Sequence, residues 1–246
     1  LQFSLEKRLS QAGHIFCNES VISLDPDHKK VVTGQGKTYQ FDFLIISVGG
    51  VNNTFGVKGA DKYTLPFKSV EDCARIRDRL REVTGSSNKP KIGIIGGGLE
   101  GVEVLGEILR IYKTRQNISL TLVAKSPRLL AIAPEAVSNR LQHYCRMYGV
   151  DLLLERKVTE VYPERIVLDN KETLDLDVII WTGGGIAPPL LKGSGLAEDE
   201  KSWARVNEYL ESTHFENVFV VGDAALLPEP IDKQAYHALD MGRLAA

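Results

Sequence analysis

Six residues constrain this chain more than any others: Gly96-Gly97-Gly98-Leu99-Glu100-Gly101, set between an apolar β run at 91–95 and a helical run at 99–112. Each glycine of GxGxxG at such a junction has its own physical task. Gly96 permits the tight turn, Gly98 lets a pyrophosphate approach the backbone, and Gly101 lets the helix pack closely on the strand. Unpaired N–H groups and the positive dipole end at the helix start favour negative charge there. A lone GxGxxG is weak evidence. This one continues into a strand at 119–123, a helix at 134–148 and a strand at 150–154, an alternation that forms βαβ units on a parallel sheet. The whole pattern is α/β, and the turn reads as a dinucleotide site.

On either side the chain is richer in β runs. Short runs at 14–24 and 31–47 are broken by Asp25-Pro26-Asp27 and Gly34-Gln35-Gly36, the signs of a meander or hairpin. It feeds a strand at Phe43–Val48, apolar on both faces as a strand between two layers must be, that ends at Gly49 and Gly50. Residues 51–66 are irregular and suit a crossing between domains. A helix is expected over 69–83, capped by Ser69 with Asp72 three residues later, followed by a polar hinge at 84–89. After residue 154, β runs at 158–162, 165–168 and 173–176 suggest an antiparallel excursion before an apolar strand at 178–182. That strand ends at Gly183, Gly184 and Gly185. FLIISVGG (43–50) and VIIWTGGG (178–185) thus share one form, each after an aspartate, Asp42 and Asp177, as two nucleotide-binding domains of related design would show. A further strand at 218–221 and a helix from about 232 complete the pattern.

Composition narrows the partners. With 30 basic against 32 acidic side chains and a formal charge of −2, nothing favours nucleic acid. The apolar runs are far shorter than the roughly 20 residues that cross a bilayer, and the chain opens on Leu1 without a leader, so a cytoplasmic location is expected. Cys17, Cys73 and Cys145 form no CxxC or CxxxxC pair, and each is expected to be a reduced, buried small side chain. The five histidines, His14, His28, His143, His214 and His237, are scattered, and no metal site is expected.

At the end of the second strand, where an acid would accept the ribose hydroxyls of NAD, stands Ala124, followed by Lys125, Ser126 and Arg128. Lys125 and Arg128 can instead hold a 2′-phosphate. Loss of the acid removes selectivity for NAD without by itself creating selectivity for NADP, so the nucleotide is written NAD(P)H. Further on, VFVVGDAA (218–225) places Gly222 where close approach is needed and Asp223 where a carboxylate can accept hydrogen bonds from a ribityl chain.

The order of FLIISVGG, GGGLEGVE, LTLVAKSPRLL, VIIWTGGG and VFVVGDAA resembles the pyridine nucleotide-disulfide oxidoreductase superfamily over nearly the whole chain. It is most similar there to type II NADH dehydrogenases and apoptosis-inducing-factor-like quinone reductases. The resemblance implies a Rossmann-like NAD(P)H domain with a parallel sheet, residues 68–186, inserted in an incomplete FAD-binding domain made of residues 1–67 and 187–246. It implies FAD and NAD(P)H as cofactors. Their contacts would come from Gly96, Gly97, Gly98, Leu99, Glu100, Gly101, Lys125, Arg128, Gly183 and Gly184, and from Gly49, Gly222, Asp223, Ala235 and Tyr236. Glu103, in GVEVLGEI, would be the catalytic carboxylate near the nicotinamide and flavin rings. Type II dehydrogenases tend to carry AQxAxQ in the last helix; Tyr236 and Asp240 replace its glutamines, and AYxA is closer to the apoptosis-inducing-factor-like group.

The implied activity is an FAD-dependent NAD(P)H dehydrogenase delivering electrons to a quinone or another small-molecule acceptor. A homodimer and peripheral membrane contact through segments outside residues 1–246 are compatible with it. No GxGxxG precedes Gly96, so the chain looks N-terminally truncated relative to such enzymes. Two alternatives stay open: a flavin disulfide reductase with its cysteines upstream, and a redox sensor that binds NAD(P)H without turnover.

Overall fold

The structure is a computed structural model describing residues 5–86, 89–112, 118–198 and 202–246. The chain divides into two compact units, Val51–Gly185 and a discontinuous one made of Leu1–Gly50 with Ile186–Ala246. The inner unit is built on five parallel strands. In chain order its elements are β1 (Leu65–Pro66), α1 (Val70–Ser86), β2 (Lys91–Ile95), α2 (Leu99–Tyr112), β3 (Ser119–Val123), α3 (Glu135–Met147) and β4 (Val150–Leu153). An antiparallel meander follows, β5 (Val158–Tyr162), β6 (Arg165–Leu168) and β7 (Thr173–Asp175), and then β8 (Val178–Trp181). The sheet order is β1-β8-β2-β3-β4. Ile94 pairs with Ile180 on one side and Leu122 on the other.

Alternation along the strands sorts two cores. Ile92, Ile94, Leu120, Leu122, Val178 and Ile180 face the helices and meet Ile76, Leu80 and Val83 of α1, Val104, Leu105 and Ile108 of α2 and Cys145 of α3. Ile95, Val123, Ile179 and Trp181 cluster with Val158, Val161, Ile166 and Leu168 of the meander. Strands covered on both faces read as continuous apolar runs, which is why β8 is buried at every position. The cap of α1 forms as its spacing requires: Asp72 N–H donates to Ser69 Oγ at 3.0 Å and Ser69 N–H donates to Asp72 Oδ2 at 3.0 Å.

The boundary near residue 67 is corrected by these contacts. Residues 51–67 belong to the inner unit because Leu65 and Pro66 pair with Ile180 and Trp181, making β1 the edge of its sheet. Proline is tolerated there, since an edge strand need not donate on its outer side. Entry and exit of the unit meet: Asn53 N–H donates to Gly184 O at 3.1 Å.

In the outer unit, Val21–Asp25, Lys30–Thr33 and Thr38–Gln40 form a three-stranded antiparallel sheet, and Leu44–Ile46 pairs in parallel with Val218–Val220. Leu24, Ile46, Leu191, Leu196, Val218, Val220 and Met241 share its core. Residues 14–20 form no strand, and Ile15 is 91% exposed. The strand expected at Phe43–Val48 shrinks to three residues, Leu44–Ile46, and is not covered on both faces: Ile46 is buried, whereas Phe43, Ile45 and Val48 are exposed. The last helix runs Ala235–Ala245 rather than from 232. Among the described residues no helix is long and apolar enough to cross a membrane.

Candidate functional site

The strand order places a switch point between β2 and β8: the chain proceeds from β2 to β3 and β4 on one side, then returns to β8 on the other. A crevice outside the carboxyl ends of strands at such a point is where α/β sheets take ligands. Here it is flanked by the glycine turn after β2 and by Thr182–Gly185 after β8. The two walls are joined, since Thr182 donates to Ile95 O from its N–H at 2.8 Å and from its hydroxyl at 3.0 Å.

The glycines of the turn differ in what surrounds them. Gly96 has φ +129°, and a Cβ there would lie 2.5 Å from Thr182 Oγ1. At Gly97 it would lie 2.7 Å from the Ala124 methyl, and at Gly101 only 2.0 Å from Gly96 O. At Gly98 a Cβ would meet nothing within 4 Å. Three glycines are therefore required by the protein's own packing, and the third of the four opens onto empty space over the start of α2. An open position of this kind leaves room for an anionic group to approach the N–H groups of the helix start.

Leu99 opens α2, and Glu100 follows it in the first turn, where it pairs with Lys68 Nζ across the crevice. Glu103 lies one turn on, exposed. Lys125 is exposed beyond the end of β3. Arg128 is not available as expected. Its guanidinium donates to Ala131 O at 2.7 Å, Ala133 O at 2.8 Å and Ser138 Oγ at 2.5 Å, so the five-donor fork closes the loop before α3. Gly183 and Gly184 sit at the end of β8. A Cβ at Gly183 would lie 2.8 Å from Trp181 Nε1, and Gly184 adopts φ +142°.

In the outer unit Gly49 adopts φ +62° with open space around it. Gly222, at φ +67°, begins a 3₁₀ turn through Ala224, and its N–H is directed at Met241 Sδ, 3.1 Å away. A Cβ at Gly222 would stand 3.2 Å from the Ala238 methyl, so the close approach that glycine allows is made by the last helix. Asp223 is half-buried and lines a cavity of about 160 Å³ together with Trp203, Lys233, Gln234 and His237. Lys233 bridges this turn. Its ammonium donates to Asp223 O at 2.5 Å and Ala225 O at 3.1 Å and lies 3.9 Å from the centre of the Trp203 ring. Desolvation lowers its pKa, with the nearby Asp223 carboxylate acting the other way. Ala235 and Tyr236 are exposed at the start of the last helix, where the Tyr236 and His237 rings lie 3.9 Å apart.

Sequence reasoning missed Thr182, Lys68 and Lys233. Each acts through a partner brought close by the fold, and a lysine in a polar stretch carries no pattern that names its partner. The cysteines also differ from expectation: Cys145 is buried, but Cys17 and Cys73 are exposed. Cys73 lies on the first turn of α1, in line with the stripe of Ile76, Leu80 and Val83 but exposed at its N-terminal end.

Residues 4–242 match the family described as pyridine nucleotide-disulphide oxidoreductase. The chain is 27% identical to the demethylphylloquinone reductase NdbB of Synechocystis, with 88% of this chain and 55% of that protein covered. It is 27% identical to the type II NADH:quinone oxidoreductase of Staphylococcus aureus, covering 99% of this chain and 66% of that protein. The chain thus spans between about half and two thirds of these curated relatives. Among solved structures, the ferredoxin reductase of the CYP199A2 system from Rhodopseudomonas palustris aligns with a TM-score of 0.85 at 18% identity, over the whole of this chain and 62% of that one. NDH2 from Plasmodium falciparum, solved with NADH, aligns with a TM-score of 0.70 at 22% identity, over 86% of this chain and 50% of that one. These likenesses describe the fold. With a family match running almost from end to end, the chain belongs to the pyridine nucleotide-disulphide oxidoreductase family.

Proposed function

We propose that the chain supplies the nucleotide-binding unit and part of the flavin-binding unit of an FAD-dependent NAD(P)H dehydrogenase whose electrons pass to a quinone or a similar small acceptor. The observation that carries this reading is the open position at Gly98, in a turn whose other three glycines are closed by Thr182, Ala124 and the turn's own backbone. The NAD(P)H domain is assigned to the inner unit and the FAD-binding domain to the outer one. Relatives named as demethylphylloquinone reductase and NADH:quinone oxidoreductase support the acceptor. Peripheral attachment at a membrane through segments outside residues 1–246 suits such an acceptor.

When bound, FAD would accept the hydride of the nicotinamide, and the protein's part is alignment, charge and exclusion of water. The backbone of Gly96–Gly101 holds the pyrophosphate, and Lys125 takes the adenosine ribose end. Glu103 is the carboxylate offered toward the nicotinamide. In the outer unit, Asp223 would accept hydrogen bonds from the ribityl chain, beside the hollow it lines with Trp203 and His237, and Lys233 fixes the turn that presents it. The test is steady-state oxidation of NADH and NADPH by the FAD-loaded protein with a soluble quinone. Quinone-dependent turnover is expected. Nucleotide binding without turnover by flavin-loaded protein would overturn the dehydrogenase reading in favour of a sensor.

A further inference from the structure

Lys68 and Glu100 lie on opposite sides of the switch point. Lys68 follows β1 and Phe67, beyond β8; Glu100 stands in the first turn of α2, after β2. Their ion pair therefore spans the carboxyl end of β8, at the mouth of the crevice. The Lys68 side chain is 23% exposed and that of Glu100 34%. The end of the lysine side chain lies beside Gly185, where a Cβ would stand 3.4 Å from its ammonium nitrogen. Its backbone is held as well, the Lys68 N–H donating to Asp72 Oδ2 at 3.2 Å within the cap of α1.

The carboxylate is poorly placed for a site that must accept a pyrophosphate. Negative charge at a helix start is favourable by itself, but Glu100 occupies the same field that a phosphate would use and repels it. Lys68 offsets that repulsion and can do more. An ammonium on a flexible four-carbon stem is a point charge with three donors and can exchange one anionic partner for another without moving the backbone. We infer that Lys68 and Glu100 form a charge-exchange clasp: Glu100 holds the ammonium ready in the empty crevice, and Lys68 passes from Glu100 to the pyrophosphate oxygens of NAD(P)H on its nicotinamide side when the nucleotide enters. Lys68 is then a nucleotide-binding residue and Glu100 a positioning residue that sets its readiness and opposes the ligand.

This inference rests on the assignment of the crevice to a dinucleotide, and its test separates the two. NAD(P)H affinity is measured by calorimetry on the full chain at several salt concentrations for the parent, Lys68→Met, Lys68→Arg, Glu100→Gln and Gly98→Val. Lys68→Met weakens binding roughly tenfold or more, the scale of one charge-assisted contact, and flattens its dependence on salt. Lys68→Arg recovers most of the loss. Glu100→Gln tightens binding, by about threefold, because the competing anion is gone. The opposite signs decide the matter. A purely structural clasp would weaken binding when cut from either side, so losses of equal sign in Lys68→Met and Glu100→Gln overturn the exchange. Unchanged affinity in Lys68→Met, with binding abolished in Gly98→Val, also overturns it while leaving the dinucleotide site standing. If Gly98→Val binds as the parent does, the site itself is wrong and the clasp falls with it. Thermal midpoints measured in parallel show whether any variant has lost its fold.

Discussion

The indole N–H of Trp181 donates to the carbonyl of Asn53 at 2.9 Å, joining residues 128 positions apart near the two ends of the inner unit. Trp181 is buried but the bond is only partly so, and removing its donor should cost about 1 kcal/mol. Trp181→Phe keeps most of the apolar contact with Val161 and Ile179 but removes that donor. Urea unfolding should show a loss of that order with an unchanged m-value. A midpoint equal to the parent's would mean that the bond contributes nothing net.

Two glycine substitutions should separate binding from folding. Gly98→Val places its side chain in open space and should leave the thermal midpoint within a few degrees of the parent while abolishing measurable NAD(P)H binding. Gly101→Val drives a side chain into Gly96 O and should unfold the inner unit, at a cost of about 3 kcal/mol or more. Circular dichroism melts and fluorescence titration check both. Reversal of the two outcomes would show that the roles of the glycines have been exchanged.

Lys125 and Arg128 should likewise part company. Lys125→Ala is expected to lower affinity for NADPH relative to NADH by a few fold at unchanged stability, since this lysine is exposed at the ribose end. Arg128→Ala should instead lower stability by about 2 kcal/mol or more, because it leaves Ser138 and the carbonyls of Ala131 and Ala133 without their donor. The affinity ratio for the two nucleotides reads the first effect and the unfolding midpoint the second. A change of that ratio in Arg128→Ala without loss of stability would return the arginine to the nucleotide.

The thiols offer a further check on the packing. Cys17 and Cys73 are exposed, whereas Cys145 is buried in the core under α3, and burial raises its pKa. Cys73 is also held above the ordinary thiol value, mainly by desolvation and then by the Asp72 carboxylate. Since the thiolate is the reacting species, Cys73 should gain reactivity only as pH rises beyond the range where an unshifted thiol responds. Titration of native protein with a thiol reagent should count two groups, and the third should appear on unfolding. Three groups reacting at once would contradict the core around Cys145.

What could be read from residues alone follows a physical divide. The glycine turn, the βαβ alternation and the cap at Ser69 and Asp72 are local in sequence, and each was legible because neighbours within a few residues determine it. Misreadings arose where a distant partner decides. Phe43–Val48 looks two-sided because apolar residues fill it, yet Ile45 and Phe43 face outward. Residues 51–67 looked like a connector, but Leu65 and Pro66 find an edge next to β8, more than a hundred residues later. Arg128 had the charge for a phosphate, and only the fold reveals that three oxygens of its own loop and of α3 take its donors. Glu100 was legible as part of a motif and its opponent Lys68 was not, for the same reason.

The bond from Asn53 to Gly184 bears on the kinetics of folding. The outer unit is assembled from two stretches separated by the whole of Val51–Gly185, so its strand pairing of Leu44–Ile46 with Val218–Val220 would ordinarily require closure of a very long loop. Once the inner unit has folded, its first and last residues already lie side by side, and the search is reduced to that of a short connection. The inner unit, contiguous and rich in neighbouring βαβ contacts, is therefore expected to fold first and act as a template in time. Interrupted refolding followed by hydrogen exchange should show protection in β2, β3 and β8 before it appears in Val218–Val220.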